Sequence, residues 1–218
     1  MPDANGALLA GGTGLVGGHV LTHLRRLGMV PVHALTRSLR PDERGVHWHD
    51  WAWLETDPLP RCAMAFCCVG TTHAQAGSKA AFAAVDRDLV LHFAERARAA
   101  GVARFGLVSS VGADARARSH YLRIKGEVED ALTAMDFEAL HIIRPSLLLG
   151  ARAESRPAED FAQRVAPALG ALMVGPLARY RPVDAELVAR MLVAMVVGDA
   201  TGVQVHFPHQ WTRAAPPA

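Results

Sequence analysis

A doubly wound α/β fold with a mostly parallel sheet is predicted by three features of this sequence. Apolar runs of strand length alternate with segments of helical periodicity, the first run enters a glycine-rich turn, and later runs are apolar without alternation. Ala7 to Ala10 is the first strand. Val16, Val20, Leu24 and Leu27 then recur at three- and four-residue spacing, with Gly28 as the helix stop. Val30 to Leu35 reads as the second strand, although Pro31 cannot donate to a ladder. A short third strand is expected near Val46 to Trp48, and Ala63 to Val69 has the near-continuous apolar pattern of a strand buried on both faces.

A long helix follows, predicted to present Phe82, Val85, Leu89 and Phe93 on one face and to close at Gly101. The strand Phe105 to Ser109, a helix containing Tyr121 to Leu132, and the strand Leu140 to Arg144 continue the alternation, which implies right-handed parallel crossovers. Beyond Gly150 the pattern loosens. Arg156-Pro157 opens a further helix, Asp184 is the N-cap of another running to Val197, and Val203 to Phe207 is a final strand. With no internal repeat or linker in view, 1–218 is expected to be one domain, residues after about 150 forming a small substrate-side region.

Composition narrows the function classes. Half of the 218 residues are hydrophobic and a fifth are charged, as in globular proteins. A net charge of +2 supplies no basic footprint for a phosphate backbone, so no nucleic-acid partner is expected. Cys62, Cys67 and Cys68 are odd in number and form no C-x-x-C pair, which argues against a disulfide framework and a zinc site; no metal is expected. The N-terminus lacks the basic start of a signal peptide. The apolar stretch Leu187 to Val197 is too short to span a bilayer and carries Arg190. A soluble, cytoplasmic protein without a membrane partner is the expectation.

The chemistry begins at Gly11-Gly12-Thr13-Gly14-Leu15-Val16-Gly17. In a strand–turn–helix context, Gly11 permits the tight turn, Gly14 lets backbone approach a pyrophosphate, and Gly17 lets the helix pack close to the sheet. Free N–H groups and the positive helix end then meet the diphosphate, which predicts a dinucleotide site on a Rossmann fold. The second strand ends at Leu35-Thr36-Arg37-Ser38, where an NAD-selective site would carry an acid for the ribose hydroxyls. None is present. Arg37 offers a planar fork suited to a 2′-phosphate, so NADP(H) is the expected cofactor.

Tyr121 and Lys125 are four apart on a predicted helix and share a face. The chain has two tyrosines and two lysines against 21 arginines, so chance would yield only about 0.02 such pairs. A compact ammonium can approach a ribose and favour ionisation of a phenol, which an arginine fork does differently. Tyr121 is therefore the candidate acid or base. Ser109 and Ser110, at a strand end, are candidates to donate to a substrate carbonyl.

The glycine turn, the Ser-Ser strand end and Y-x-x-x-K resemble the short-chain dehydrogenase/reductase superfamily. More narrowly, the chain resembles its atypical branch with the Tat-interacting-protein oxidoreductases and their bacterial relatives. Cys68-Val69-Gly70-Thr71-Thr72, Val85-Asp86-Arg87-Asp88, Ser109-Ser110-Val111-Gly112-Ala113-Asp114, Lys125-Gly126-Glu127-Val128-Glu129, Arg144-Pro145 and Glu154-Ser155-Arg156-Pro157 carry the likeness. The resemblance implies NADPH as ligand, Gly70 and Thr71 lining it after the fourth strand, and Pro145 and Ser146 beside the nicotinamide. It places Ser110, Tyr121 and Lys125 at the catalytic positions, with Ser109 as the alternative serine. A C-terminal region shorter than in sugar-nucleotide epimerases argues against a large nucleotide-sugar substrate.

Two functions fit. One is an NADPH-dependent oxidoreductase acting on a small carbonyl compound. The other is a non-catalytic NADP(H)-sensing interaction protein, whose target would be a protein partner or a second copy of the chain. Among the remaining features, His47, His49 and Asp50 are read as a polar strand edge, and Cys67-Cys68 as small core groups behind the cofactor.

Overall fold

The computed structural model describes residues 3–56, 58–150 and 175–213. Its strands are β1 (Asp3–Ala10), β2 (Val32–Leu35), β3 (Val46–His49), β4 (Cys62–Cys67), β5 (Arg104–Val108), β6 (Ala139–Ile143), β7 (Leu148–Leu149), β8 (Val183–Asp184) and β9 (Gly202–His206). The helices are α1 (Leu15–Arg26), α2 (His73–Ala76), α3 (Lys79–Ala83), α4 (Leu89–Ala99), α5 (His120–Thr133) and α6 (Ala185–Val197). Seven strands form one parallel sheet in the order β3-β2-β1-β4-β5-β6-β9, and β7 pairs with β8 beside it. This is the predicted doubly wound, Rossmann-like architecture.

The apolar runs are continuous because the sheet is covered on both sides. Ala7 and Leu9 of β1 face α1 and α6, while Leu8 and Ala10 face α4 and α5. All four are fully buried. Most strand ends move by a residue or two from the sequence expectation, and β1 begins four residues earlier, at Asp3. β2 starts at Val32, because Pro31 at its entrance has only a carbonyl to offer, and the Ala7 amide donates to it at 3.0 Å.

One helical face differs from its predicted composition. The buried row is Phe82, Asp86, Val90 and Phe93, with Val85 and Leu89 only half-buried. A π-helical turn, Ala84–Asp88, separates α3 from α4 and rotates the later residues relative to the earlier ones. The buried row includes the carboxylate of Asp86.

Asp184 caps α6 as predicted, its side chain accepting from the Glu186 amide at 2.7 Å. The helix packs on β5, β6 and α1. Arg104 of β5 donates to the carbonyls of Gly198 and Ala200, just past the end of α6, and satisfies groups the helix leaves unpaired. The helix predicted from Arg156-Pro157 and the Glu154-Ser155-Arg156-Pro157 motif lie outside the described residues. Among the described residues no helix is long and apolar enough to cross a membrane.

Candidate active site

The glycine turn leaves β1 at the point where strand order reverses between β1 and β4, where crevices form in such sheets. Gly11 takes φ +83°, and its carbonyl accepts from the Gly14 amide at 2.9 Å. A Cβ on Gly17 would lie 2.0 Å from that same carbonyl oxygen. Helix α1 therefore begins in contact with the turn, and any side chain at Gly17 would push it away. Gly14 caps α1 without a side chain, and no acid occupies the first turn. The amides of Leu15, Val16 and Gly17 are thus left for an external acceptor at the positive helix end. Thr13 and Gly14 are exposed at the mouth. A diphosphate fits this cradle.

Beyond β2, Thr36 is buried and Arg37 is exposed. An open surface hollow of about 390 Å³ lies at the end of β3, lined by Leu39, Trp48, His49, Asp50, Trp53 and Thr56 among others. Trp53 stacks on His49 with centroids 3.8 Å apart, and the guanidinium of Arg40 lies over Trp48 at 5.5 Å. His49 meets His33 at 3.1 Å, and burial lowers its pKa below the ordinary histidine value. His47 instead pairs with Asp42 at 2.8 Å. Among the described residues no group of three or more His, Cys, Asp or Glu is placed to hold a metal.

The segment leaving β4 joins the turn to the tyrosine and lysine. The carbonyl of Cys68 lies 2.8 Å from where a Gly11 Cβ would stand, and Gly70 lies against Lys125. Lys125 and Tyr121 sit one turn apart on α5, and the ring of Tyr121 tilts against Phe82 at 5.6 Å. The Lys125 side chain is 6% exposed and its ammonium contacts the fully buried carboxylate of Asp86 at 2.7 Å. The other Asp86 oxygen accepts from the Thr71 amide at 2.8 Å. Burial by itself lowers the pKa of Lys125, but the negative charge of Asp86, then Tyr121, reverses this and raises it above the usual lysine value. Helix α5 can reach the strand ends because Gly126 has no Cβ. One there would stand 2.1 Å from the Ala115 amide nitrogen.

The two serines differ in their commitments. Ser109 is buried and its hydroxyl donates to Glu129, which also takes a forked interaction from Arg144 at 3.1 Å to each oxygen. Ser110 is half-buried, and among the described residues its hydroxyl has a 3.4 Å contact to the Val111 carbonyl. Pro145 is buried beside them, its carbonyl accepting from the Val111 amide at 2.8 Å. Burial keeps Cys67 protonated, pushing its thiol up to about 11.

Sequence reasoning named the motif stretches but not the pairs within them. Asp86 pairs with Lys125, Arg87 with Glu127 at 3.0 Å, and Glu129 with Arg144. A usable signal existed for two of these. Asp86 is four residues from buried Phe82, and Glu129 is four from Lys125 and adjacent to buried Val128, so both fall on core-facing stripes. A charge on such a stripe requires a partner.

Comparison with known proteins agrees with the fold. A relative from Emericella nidulans, "Protein fmp52, mitochondrial", is 37% identical over 184 residues, covering 77% of this chain and 76% of its own. "Protein HTATIP2" of Rattus norvegicus is 48% identical over 99 residues, 45% of this chain and 40% of that protein. Among solved structures, UDP-glucose 4-epimerase of Thermotoga maritima with UDP-glucose matches with a TM-score of 0.69 at 17% identity, covering 93% of this chain and 76% of that one. The human epimerase family protein SDR39U1 with NADPH matches at 0.66, also at 17% identity, covering 93% and 74%. The cytoplasmic expectation is corrected by these findings. Relatives matched over three quarters or more of the chain carry "mitochondrial" in their names, and the absence of a basic leader-like start is a poor guide to compartment. The model of the NAD dependent epimerase/dehydratase family matches residues 7–175. The chain belongs to that family, in the atypical short-chain dehydrogenase/reductase group that its likeness to HTATIP2 and fmp52 marks.

Proposed function

We propose that this protein is an NADPH-dependent oxidoreductase that reduces a small carbonyl compound. The observation that carries the reading is the buried Lys125 ammonium lying against the Gly70-Thr71 segment of the crevice, with Tyr121 one helical turn before it. Gly11, Thr13, Gly14, Leu15, Val16 and Gly17 hold the diphosphate through backbone amides, and Gly70, Thr71 and Pro145 line the nicotinamide half. Arg37, exposed at the end of β2 between Thr36 and Ser38, takes the 2′-phosphate. The open hollow beside Trp48 and Trp53 offers aromatic surface for the adenine. SDR39U1, solved with NADPH, supports the phosphorylated cofactor on this fold.

When bound, the cofactor supplies hydride to the carbonyl carbon. Tyr121 releases its phenolic proton to the carbonyl oxygen, so the product is the alcohol. Lys125 holds ribose hydroxyls and keeps a cation beside the phenol. Ser110 orients the carbonyl and stabilises charge developing on its oxygen. Ser110 is favoured over Ser109 because the Ser109 hydroxyl is spent on Glu129.

The test is NADPH oxidation across a panel of small aldehydes and ketones, with NADPH binding measured separately by fluorescence. Tyr121→Phe is expected to bind NADPH as the parent does and to lose turnover by about 10²-fold or more. Parent-like turnover in Tyr121→Phe would rule the mechanism out. A protein that binds NADPH, turns over no panel member, and engages a partner differently with NADPH and NADP⁺ would instead be a sensor.

A further inference from the structure

Helix α5 carries a third polar group at the spacing of Tyr121 and Lys125, and the mechanism leaves it unused. Glu129 lies one turn beyond Lys125, with its side chain only 6% exposed. A carboxylate that deep in a fold is costly unless its oxygens are compensated. Three donor atoms meet it, the Ser109 hydroxyl, the Arg144 Nε at 3.1 Å from each oxygen, and the Arg144 Nη2. A guanidinium fork fixes direction as well as distance, which an ammonium would not.

The two donating residues come from different strands, and each adjoins a residue assigned to the reacting end of the crevice. Ser109 precedes Ser110 just past β5, and Arg144 precedes Pro145 just past β6. Backbone bonds carry the tie forward. The Ser109 amide donates to the Ile143 carbonyl and the Val111 amide to the Pro145 carbonyl, both at 2.8 Å, so Ser110 and Pro145 ride on one extended pair. The Arg144 amide donates to the His206 carbonyl at 2.9 Å, which holds β9 to the same junction. The Ser110 hydroxyl has a 3.4 Å contact to its neighbour's carbonyl, and a proline side chain has no polar atom with which to anchor itself. Both residues therefore take their position from the junction. The glycine turn closes on its own 2.9 Å bond at the end of β1, with β4 between it and the junction.

We propose that Glu129 is a positioning residue. It bolts α5 to the ends of β5 and β6, and so sets the wall of Ser110 and Pro145 against which the nicotinamide half of the dinucleotide lies. The inference deepens the reductase reading and rests on it for which half of the cofactor meets that wall. The same bolt fixes the helix that carries Lys125 and Tyr121 relative to the strand that carries Ser110.

The test compares a whole cofactor with half of one. Adenosine 2′,5′-bisphosphate has the adenine, ribose and 2′-phosphate without the nicotinamide, and its affinity is measured by titration calorimetry beside that of NADPH. Glu129→Gln keeps the shape of the side chain and breaks the charged fork. It is expected to lower NADPH affinity by about 10-fold while the bisphosphate binds as it does to the parent. The emission of bound NADPH is expected to shift towards that of the free cofactor. Thr133→Ala removes a 2.8 Å bond to the Glu129 carbonyl without touching the carboxylate, and is expected to leave both affinities at parent values. Equal weakening of both ligands in Glu129→Gln, unchanged binding of both, or the same selective loss in Thr133→Ala overturns the proposal. Should Glu129→Gln fail to accumulate as folded protein, Arg144→Lys, which keeps the charge and loses the fork, carries the same comparison with the same expected and refuting results. Failure of the reductase reading shows elsewhere, as undiminished turnover in Tyr121→Phe, and leaves the comparison of the two ligands standing.

Discussion

Substituting alanine at Gly17 and at its neighbour Gly18 separates the cradle's geometry from the general effect of adding a methyl group. At Gly17 the new Cβ would stand 2.0 Å from the Gly11 carbonyl oxygen and 2.7 Å from its carbon, where ordinary contact begins at 3.4 Å. Both obstacles are backbone, so α1 and the turn must separate by about 1.4 Å. A donor displaced that far from an acceptor at about 2.9 Å no longer makes a hydrogen bond. Each amide bond to a charged phosphate oxygen contributes about 1.5–3 kcal/mol, so losing two weakens NADPH binding at least 100-fold. Overpacking costs about 1–3 kcal/mol of stability, partly offset by about 1 kcal/mol of helix propensity. At Gly18 the added Cβ meets only the Gly12 carbonyl oxygen at 3.7 Å. Gly18→Ala should bind NADPH as the parent does and gain up to about 1 kcal/mol. Fluorescence titration with NADPH and thermal unfolding of both variants decide the matter. Parent-like affinity in Gly17→Ala, or equal loss in Gly18→Ala, would refute the cradle.

The cofactor reading makes its own prediction at Arg37. Arg37→Ala should weaken NADPH by about 10- to 100-fold and leave NADH unchanged; equal loss for both dinucleotides would show that the 2′-phosphate sits elsewhere. Acid stability depends on His141, which is buried on β6 with its Nδ1 3.2 Å from Nε2 of His206. Burial, then the neighbouring His206 and Arg104, holds its pKa down to about 4 against an ordinary 6.5. The unfolded chain therefore binds the proton first, so stability is full above pH 6.5 and falls as pH drops towards 4, by at most about 3 kcal/mol. Chemical denaturation of His141→Leu across that window should show a flatter acid limb, and an acid limb as steep as the parent's would mean that other groups carry the loss.

The local order of elements was legible in the sequence because backbone periodicity and turn chemistry are short-range properties. Two-sided apolar runs could only be buried parallel strands, and glycines at 11, 14 and 17 had to be where backbone meets backbone. Gly28 and Gly101, read as helix stops, take φ +69° and +90°. Tyr121 and Lys125 could be paired from four-residue spacing alone. What stayed hidden lies between segments distant in the chain. Asp86 and Lys125 are separated by 39 positions, Arg87 and Glu127 by 40, and no local pattern links them. The π-helical turn interrupts the 3.6-residue repeat between α3 and α4, and the core row there runs through Asp86 and Val90 while Val85 and Leu89 stay half-buried. Ser109 and Ser110 looked alike as a strand end, and only the approach of Glu129 from α5 separated them. The sequence by itself determined the sheet, the glycine turn and the Tyr–Lys helix, since each follows from the conformational preferences of neighbouring residues. Only the tertiary structure decided which charges neutralise one another in the interior, because burial and Coulomb energy depend on what the folded chain brings within a few ångströms.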